Sequence, residues 1–185
     1  MSTPARHLLS MEEFLHWEQA QDVRHEYVGG HVYAMTGTSK RHNRVVGALV
    51  RSLSPAATHH GCEAYFIDVK LKIGDLATFY PDFMICCEGE SEGDSEIWSE
   101  APCLLGEVLS PGTVNRARDE ETKLGMYLQI PSLLAYLIFD PFTSSVEAHL
   151  RPGTDGAWAR STHGVGDDLT LPCPEGTSLK ISAVF

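Results

Sequence analysis

The segment that most constrains the fold of this chain is residues 103–109, which are apolar except for Glu107. A short, nearly continuous apolar run is typical of a central strand that is buried on both faces of its sheet. A carboxylate in such a strand is unfavourable unless it is paired or bound to a metal ion. From this segment alone, Glu107 is either half of a buried ion pair or part of a functional site.

A second acid stands at the start of another apolar segment. Asp82 follows Pro81 within residues 77–87, which predict a strand. Proline is tolerated at a strand start, at an edge or at a distortion, so we expect Asp82 where pairing begins or where the strand is distorted. Two acids at the ends of two strands, with a lysine soon after, are typical of a divalent-metal site, and such a site supports phosphodiester hydrolysis.

The lysine lies on a helix that is predicted over residues 115–129, after a sharp turn at residues 110–113. Lys123 and Tyr127 are four residues apart and therefore share a face of this helix. Taken alone, Lys123 has a second interpretation, as half of an exposed pair with Asp119 or Glu120.

The N-terminal third offers two further candidates. Ser10 and Glu13 form a capping-box pattern, which predicts a helix to about residue 21. Residues 24–36 predict a hairpin around Gly29 and Gly30, with Glu26 on its first arm. Glu26 is either a solvated strand residue or a further acid of the site.

Residues 39–53 predict a helix, since Val45, Val46, Leu49, Val50 and Leu53 recur at helical spacing. We expect Pro55 to end or kink it. His42 lies in the first turn, where a histidine commonly faces solvent or donates a local hydrogen bond. The helix is the most basic segment of the chain, and its basic residues are Lys40, Arg41, Arg44 and Arg51.

The rest of the chain predicts mainly strands. Residues 62–73 alternate apolar and polar side chains, and residues 88–101 form a solvated acidic loop. A further apolar strand is expected over residues 133–139. Shorter strands at residues 144–150, 157–162 and 168–171 predict an antiparallel tail that completes the sheet, with a final short piece at residues 182–185.

Composition limits the class of protein. At 185 residues and 43% hydrophobic, the chain suits one compact domain, residues 1–185. It has no apolar run long enough to span a membrane, and no apolar signal segment follows the N-terminus, so we expect a cytoplasmic protein. The cysteines are odd in number and lack a Cys-x-x-Cys pair, which favours buried apolar residues in a reducing cytosol over a disulfide frame or a zinc site. They are Cys62, Cys86, Cys87, Cys103 and Cys173.

The net charge of -11 argues against a protein that binds nucleic acid by bulk electrostatics. It does not exclude a nuclease, because a site that collects carboxylates for a metal is itself acidic and basic residues can be local.

The ordered motifs of the chain resemble the Uma-two family of restriction endonucleases, within the PD-(D/E)XK nuclease superfamily. The match covers roughly residues 10–150. The residues that carry it are 27–33, His42, Pro81-Asp82, 107–113, Lys123 with Tyr127, and 139–141. The resemblance implies an α/β fold with a restriction-endonuclease-like mixed, curved β-sheet flanked by helices and an antiparallel C-terminal extension.

The resemblance also implies a site. Asp82 and Glu107 would hold magnesium or manganese, and the backbone carbonyl of Val108 would add a ligand. The superfamily lysine normally lies two residues after the second acid, where this chain has Leu109, so the resemblance implies that Lys123 has taken that role. Glu26 and His42 match positions expected to reach the site.

The partner implied by the resemblance is nucleic acid, DNA above all, and the expected assembly is a homodimer. Lys40, Arg41, Arg44 and Arg51 are the candidates for contacts with the nucleic-acid backbone. Two rival functions stay open at this point. One is a nuclease scaffold without cleavage that serves as a nucleic-acid or protein interaction module, and the other is a metal-dependent hydrolase of small phosphates or nucleotides.

Overall fold

A computed structural model describes residues 8–35, 37–87, 98–110 and 116–185, with the backbone only for residues 116–120. The helices are α1 Met11–Glu18, α2 Lys40–His59 and α3 Arg116–Tyr127. The predicted acidic loop at residues 88–97, the turn at residues 111–113 and the N-terminal residues 1–7 lie outside the described part. The loop prediction is wrong at its far end, since Trp98–Ser99 forms a short strand.

The strands build one central sheet, one smaller sheet and one two-stranded sheet. The strand bounds are β1 His25–Val28, β2 His31–Ala34, β3 Glu63–Tyr65, β4 Lys70–Ile73, β5 Ala77–Phe79, β6 Phe83–Cys86, β7 Trp98–Ser99, β8 Pro102–Val108, β9 Ala135–Asp140, β10 Ser145–Leu150, β11 Ala159–Gly164, β12 Asp168–Leu171 and β13 Thr177–Lys180. The strand order is β11-β10-β9-β8-β6-β3 in the central sheet and β2-β1-β5-β4-β7 in the smaller sheet, and β12 pairs with β13.

The central sheet is mixed, because β8 and β9 run parallel while the other neighbours in it are antiparallel. Strand β8 lies in the interior of the sheet, and Leu104 and Leu105, on opposite faces, are both fully buried. This confirms the prediction of a strand that is covered on both sides. The predicted fold class, a mixed and curved sheet flanked by helices, is confirmed as well. No helix among the described residues is long and apolar enough to cross a membrane.

Each face of the central sheet has its own core. Helix α2 and the β12–β13 pair cover one face, where Leu49, Leu53 and Phe139 pack together. On the other face, α3 and the smaller sheet pack around Tyr127 and Tyr136. The two cores matter for function, since they place α2 and α3 on opposite sides of the same strands.

The local turn signals of the N-terminal third are confirmed. Ser10 Oγ accepts a hydrogen bond from the Glu13 N–H at 3.2 Å, and the Glu13 carboxylate accepts one from the Ser10 N–H at 2.7 Å. Gly29 and Gly30 have φ angles of 55° and 91°, as the β1–β2 turn requires. Helix α1 ends at Glu18, earlier than the predicted residue 21.

Two predicted strands are each divided between two sheets. Residues 62–73 form β3 in the central sheet and β4 in the smaller one, and Ile67 between them has a φ of 68°. Residues 77–87 likewise divide into β5 and β6, because Pro81 has no N–H to donate to a ladder and the chain passes between sheets there. Asp82 therefore stands immediately before β6, where pairing begins, as predicted.

Two predictions are corrected in part. Pro55 does not end α2, which continues to His59, and the alternative of a kink at Pro55 stays a prediction. Leu53 and Ala57 are buried against the core on either side of Pro55, and this packing offsets the loss of one helical hydrogen bond. The predicted antiparallel tail is confirmed for β10 and β11, which extend the central sheet, but β12 and β13 form a sheet of their own and residues Ile181–Ala183 form a short 3₁₀ helix.

The cysteine prediction is also wrong. The structure contains two disulfides, Cys62–Cys87 and Cys103–Cys173, which leave Cys86 outside any disulfide. The partners lie 25 and 70 residues apart in sequence, so their proximity depends on strand pairing that the cysteine spacing does not reveal.

Candidate active site

Asp82 and Glu107 face each other across neighbouring strands. The register of β6 and β8 pairs Phe83 with Gly106, so the next positions outward are Asp82 and Glu107. The two carboxylates are close enough that the charge of Asp82 acts to raise the pKa of Glu107. The structure thus brings together the two acids that the sequence placed at the ends of separate apolar runs.

Asp82 is held by a backbone group and a histidine. Its Oδ2 accepts a hydrogen bond from the Val108 N–H at 2.8 Å and lies 3.0 Å from His42 Nε2. His42 stands in the first turn of α2, where its own N–H is capped by Ser39 Oγ at 3.2 Å. Only 5% of His42 is exposed, so the solvent-facing interpretation is wrong and the helix start reaches the acids.

The pKa of His42 is raised from its ordinary value. Burial acts to lower the pKa, but the hydrogen bond to the Asp82 carboxylate and the charges of Asp82 and Glu107 outweigh burial. The Nδ1 of His42 is buried and has no hydrogen-bond partner among the described residues.

Lys123 lies between two glutamates on the other side of the site. Its Nζ is 2.9 Å from Glu26 Oε1 and 3.4 Å from Glu107 Oε1, and it also stands 5.4 Å from the centre of the Phe79 ring. Tyr127, one helical turn later, donates its hydroxyl to Glu107 Oε1 at 2.9 Å. The shared face of Lys123 and Tyr127 is confirmed, and Glu26 is buried in the site instead of being a solvated strand residue.

The cluster is crowded with negative charge. Burial raises the pKa of Glu107, Lys123 lowers it, and the charges of Asp82 and Glu26 raise it again, to about 7. Glu26 Oε1 is buried, and the Lys123 ammonium lies 2.9 Å from it. Burial and Glu107 also raise the pKa of Tyr127 well above its usual range, so its hydroxyl stays a donor.

This environment suits a divalent cation. The raised pKa of Glu107 and the crowding of three carboxylates around one lysine are what an added positive charge would correct. The donor set consists of oxygens, which magnesium and manganese prefer. Asp82 and Glu107 are the residues that could hold the ion together with the Val108 carbonyl, and only about 17% and 13% of the two acidic side chains is exposed.

The predicted basic residues lie along α2, beginning at its first turn. Lys40, Arg41, Arg44 and Arg51 are exposed. Lys40 and Arg44 line a surface depression of about 530 Å³ at the helix start, and Arg41 lies 5.1 Å from the ring centre of Phe142. These residues do not join the acidic cluster. They begin beside it, because His42 in the same turn contacts Asp82.

One residue of the site received no role from the sequence. Tyr127 hydrogen-bonds Glu107 from the same face that carries Lys123. The four-residue spacing was the available signal, since a helix that presents Lys123 to Glu107 also presents residue 127 to the same strand.

The sequence of the chain is similar to one protein family and to two proteins of a single organism. The family model described as "Uma2: Putative restriction endonuclease" matches residues 11–182. "Uncharacterized protein slr1290" of Synechocystis sp. is 33% identical over 179 residues, which is 96% of this chain and 91% of the relative. "Uncharacterized protein sll1609" of the same organism is 32% identical over 153 residues, which is 82% of this chain and 85% of that relative.

A solved structure has a similar fold. It is the crystal structure of "a putative nuclease belonging to DUF820" from Anabaena variabilis, with a TM-score of 0.74 over 96% of this chain and 97% of that chain. The two sequences are 17% identical, so this likeness speaks for the fold and not for the chemistry.

Proposed function

The chain belongs to the Uma2 family of restriction endonuclease-like proteins, and from this membership together with the acidic cluster we propose that it is a magnesium- or manganese-dependent nuclease. The proposed reaction is hydrolysis of phosphodiester bonds within nucleic acid, DNA above all. One observation carries the proposal: Glu26, Glu107 and Lys123 come from three separate elements and meet beside the Asp82–His42 pair.

Asp82 and Glu107 are the proposed metal ligands, the Val108 carbonyl is a proposed third ligand, and Glu26 is a further acid of the cluster. When bound, the metal supplies a Lewis acid that activates water and stabilises charge on the phosphate. The chain's part is to hold the two carboxylates face to face. The Val108 N–H fixes Asp82, and the Tyr127 hydroxyl fixes Glu107.

Lys123 is the proposed replacement for the lysine that is missing at Leu109. Its ammonium group lies within the cluster, where it would orient the attacking water or neutralise the phosphate. Lys123 also balances part of the charge of Glu26 and Glu107 before substrate binds. His42 would act on Asp82, which its Nε2 holds at 3.0 Å, and the start of α2 would favour a phosphate through its N–H groups and dipole.

The exposed basic residues of α2 are the proposed contacts with the nucleic-acid backbone. Lys40, Arg44 and Arg51 are spaced by four and seven residues, which puts them on one side of the helix. A local basic face of this kind suits a chain whose net charge is -11, because bulk attraction to phosphates is absent. Cleavage should therefore weaken steeply as salt rises.

The test is cleavage of supercoiled plasmid and of structured DNA and RNA by the purified full chain, with magnesium, with manganese and with a chelator. We expect metal-dependent nicking by the wild type. Asp82→Ala and Glu107→Ala should abolish it while circular dichroism stays native. Asp75→Ala is the matched control, since Asp75 is an exposed acid in the turn after β4.

Two outcomes would overturn the proposal. Wild-type protein that cleaves no substrate with either metal would leave a nuclease fold without cleavage. Full cleavage by both Asp82→Ala and Glu107→Ala would show that the chemistry lies elsewhere.

A further inference from the structure

A second cluster of reactive side chains lies at the other end of the strands that carry the acids. Asp82 precedes β6 and Cys87 follows it, while Cys103 lies near the start of β8 and Glu107 near its end. Since β6 and β8 are antiparallel, both acids lie at one end of the pair and both cysteines at the other. Nothing in the proposed nuclease chemistry uses the cysteine end.

Three sulfurs from distant parts of the chain, those of Cys87, Cys103 and Cys173, cluster there, and the sulfur of Cys62 joins them through its bond to Cys87. Cys62 follows α2, Cys87 follows β6, Cys103 lies in β8, and Cys173 connects β12 to β13. The sulfurs are paired as Cys62–Cys87 and Cys103–Cys173. The two pairs also touch: Cys87 Sγ is 3.2 Å from Cys103 Sγ and 3.5 Å from Cys173 Sγ.

Contact between the pairs is more than two separate disulfides require. The donor atoms of Cys87, Cys103 and Cys173 all lie within 4.8 Å of one another, and among the described residues no other group of three His, Cys, Asp or Glu side chains does so. Zinc holds thiolates at about 2.3 Å in a tetrahedron, which sets neighbouring sulfurs roughly 3.8 Å apart. The contacts across the two pairs are close to that spacing.

Strand pairing explains why the sulfurs converge. The register of β3 and β6 pairs Glu63 with Cys86, so Cys62 and Cys87 are the next pair along the ladder. The pairing of β6 with β8 shifts register between Ile85 and Cys86, which leaves Cys103 as the extra residue of a bulge. The bulge lets Cys103 face the same core as Leu104.

The surroundings match a closed structural site. Cys62, Cys103 and Cys173 are at most 7% exposed, within the core that α2 covers. Cys87 is half-buried, which leaves a path for an ion to enter. We propose that Cys62, Cys87, Cys103 and Cys173, when reduced, bind one zinc ion that fastens the β12–β13 segment to the ends of β6 and β8.

The exchange between the two states is balanced. A cellular thiol reductant gives two electrons and two protons to each disulfide, which breaks both S–S bonds and leaves four thiols. Zinc then replaces the four thiol protons and forms four Zn–S bonds. A four-thiolate donor set selects zinc over magnesium, so this ion does not compete with the metal at Asp82 and Glu107.

The first test is the metal content of the full chain, purified in a reducing buffer without chelator or added metal. We expect about one zinc per chain. Cobalt added to the reduced, metal-stripped protein should give thiolate-to-cobalt charge-transfer bands and the strong visible bands of tetrahedral cobalt. Thiol titration before and after chelation should show four cysteines becoming reactive.

Variants locate the ion. Cys87→Ser and Cys173→Ser should lose most of the zinc and the cobalt bands, whereas Cys86→Ser should keep both, because Cys86 is buried nearby but lies on the other core. Asp82→Asn should also keep the zinc, which separates this site from the proposed nuclease site. The cobalt spectrum of the wild type decides the question even where a cysteine variant fails to fold.

The proposal is overturned if the reduced wild type carries less than about a tenth of an equivalent of zinc and gives no thiolate bands with cobalt. It is equally overturned if both disulfides persist in protein kept under reducing conditions throughout. Zinc that stays in the Cys87→Ser variant but leaves with Asp82→Asn would place the ion at the acids and reject the cysteine site.

Discussion

Glu18 and Glu107 have similar neighbouring groups, but the charges around the two carboxylates are balanced differently. Each has a tyrosine hydroxyl and a basic side chain beside it. Glu18 accepts hydrogen bonds from the His25 N–H at 2.9 Å and from the Tyr80 hydroxyl at 3.2 Å, and it lies 3.0 Å from His25 Nδ1. Glu107 has Tyr127 and Lys123, but it shares them with the charges of Glu26 and Asp82.

The difference separates an acid whose charge is matched by donors from an acid whose charge is not. The Glu18 carboxylate is matched by donors, and the contacts join α1 to β1 and to the segment before β6, so its burial stabilises the fold. Around Glu107 the carboxylates of Asp82, Glu26 and Glu107 itself share one lysine ammonium, that of Lys123. Surplus charge of this kind costs stability in the metal-free protein, and a bound cation would offset it.

Replacing Glu107 should have the largest effect, and in two opposite directions. Glu107→Gln keeps the shape of the side chain but removes a proposed ligand, so cleavage should fall roughly 10³-fold. The same change should raise the unfolding free energy of the metal-free protein by about 1 kcal/mol at pH 8. Plasmid cleavage and urea denaturation measure the two effects.

The sign of the stability effect follows from the pKa of Glu107, which the fold raises from 4.5 to about 7. Between these values the folded state binds more protons than the unfolded state, so stability falls as pH rises. Glutamine does not titrate, and the advantage of the variant should therefore be small near pH 5 and full above pH 7. A variant less stable than wild type at pH 8 would contradict the contrast with Glu18.

Replacing Glu18 should affect the fold and not the reaction. Glu18→Ala leaves the buried donors of His25 and Tyr80 without their acceptor, so the unfolding free energy should fall by about 3 kcal/mol. Cleavage at a temperature where the variant is folded should stay within about twofold. Glu12→Ala, an exposed acid on the same helix, is the control and should change stability by less than about 0.5 kcal/mol.

Replacing Lys123 tests whether the cation of the acidic cluster acts in the reaction. Lys123→Ala should lower turnover by about 10²-fold and should change the metal concentration for half-maximal rate much less. Removing a positive charge from beside the ligands would, if anything, favour metal binding. Lys180→Ala, at an exposed strand position, is the control, and unchanged turnover in Lys123→Ala would reduce Lys123 to a structural partner of Glu26.

Replacing Lys70 should have the smallest effect on stability, and it tests the charge balance around Glu18. Burial lowers the pKa of Lys70, Glu18 raises it and Arg24 lowers it, with a net lowering. The folded state therefore binds fewer protons than the unfolded state below about pH 10, and stability from this group rises with pH. Lys70→Met should add less than about 1 kcal/mol at pH 7, and the gain should shrink by pH 10 in thermal unfolding.

Much of the site could be predicted because its signals are local. Glu107 is an acid in an otherwise apolar strand, and Pro81 indicates that strand pairing begins next to Asp82. Lys123 and Tyr127 follow helical spacing. The capping box at Ser10 and the Gly29–Gly30 turn are likewise read from neighbouring residues. Each of these depends on backbone preferences that act within a few residues.

What could not be predicted depends on partners distant in sequence. Residues 62–73 and 77–87 look like single strands, and only the bend at Ile67 and the crossing at Pro81 divide them between sheets. The position of His42 in the first turn of its helix indicates a solvent-facing residue, but in the structure its Nε2 lies 3.0 Å from Asp82 Oδ2. The helix continues through Pro55 since Leu53 and Ala57 pack in the core, a contribution that local propensity does not include.

The sequence by itself determined the kinds of element in this protein and which polar residues were out of place within them, because periodicity and turn chemistry are properties of adjacent residues. Only the tertiary structure decided which of those residues share a site. Register sets Asp82 against Glu107, the packing of α2 and α3 on the two faces brings His42 and Lys123 to the same end, and a one-residue bulge turns Cys103 toward Cys87 and Cys173. Register and packing follow from the summed burial of the whole chain, which no single segment contains.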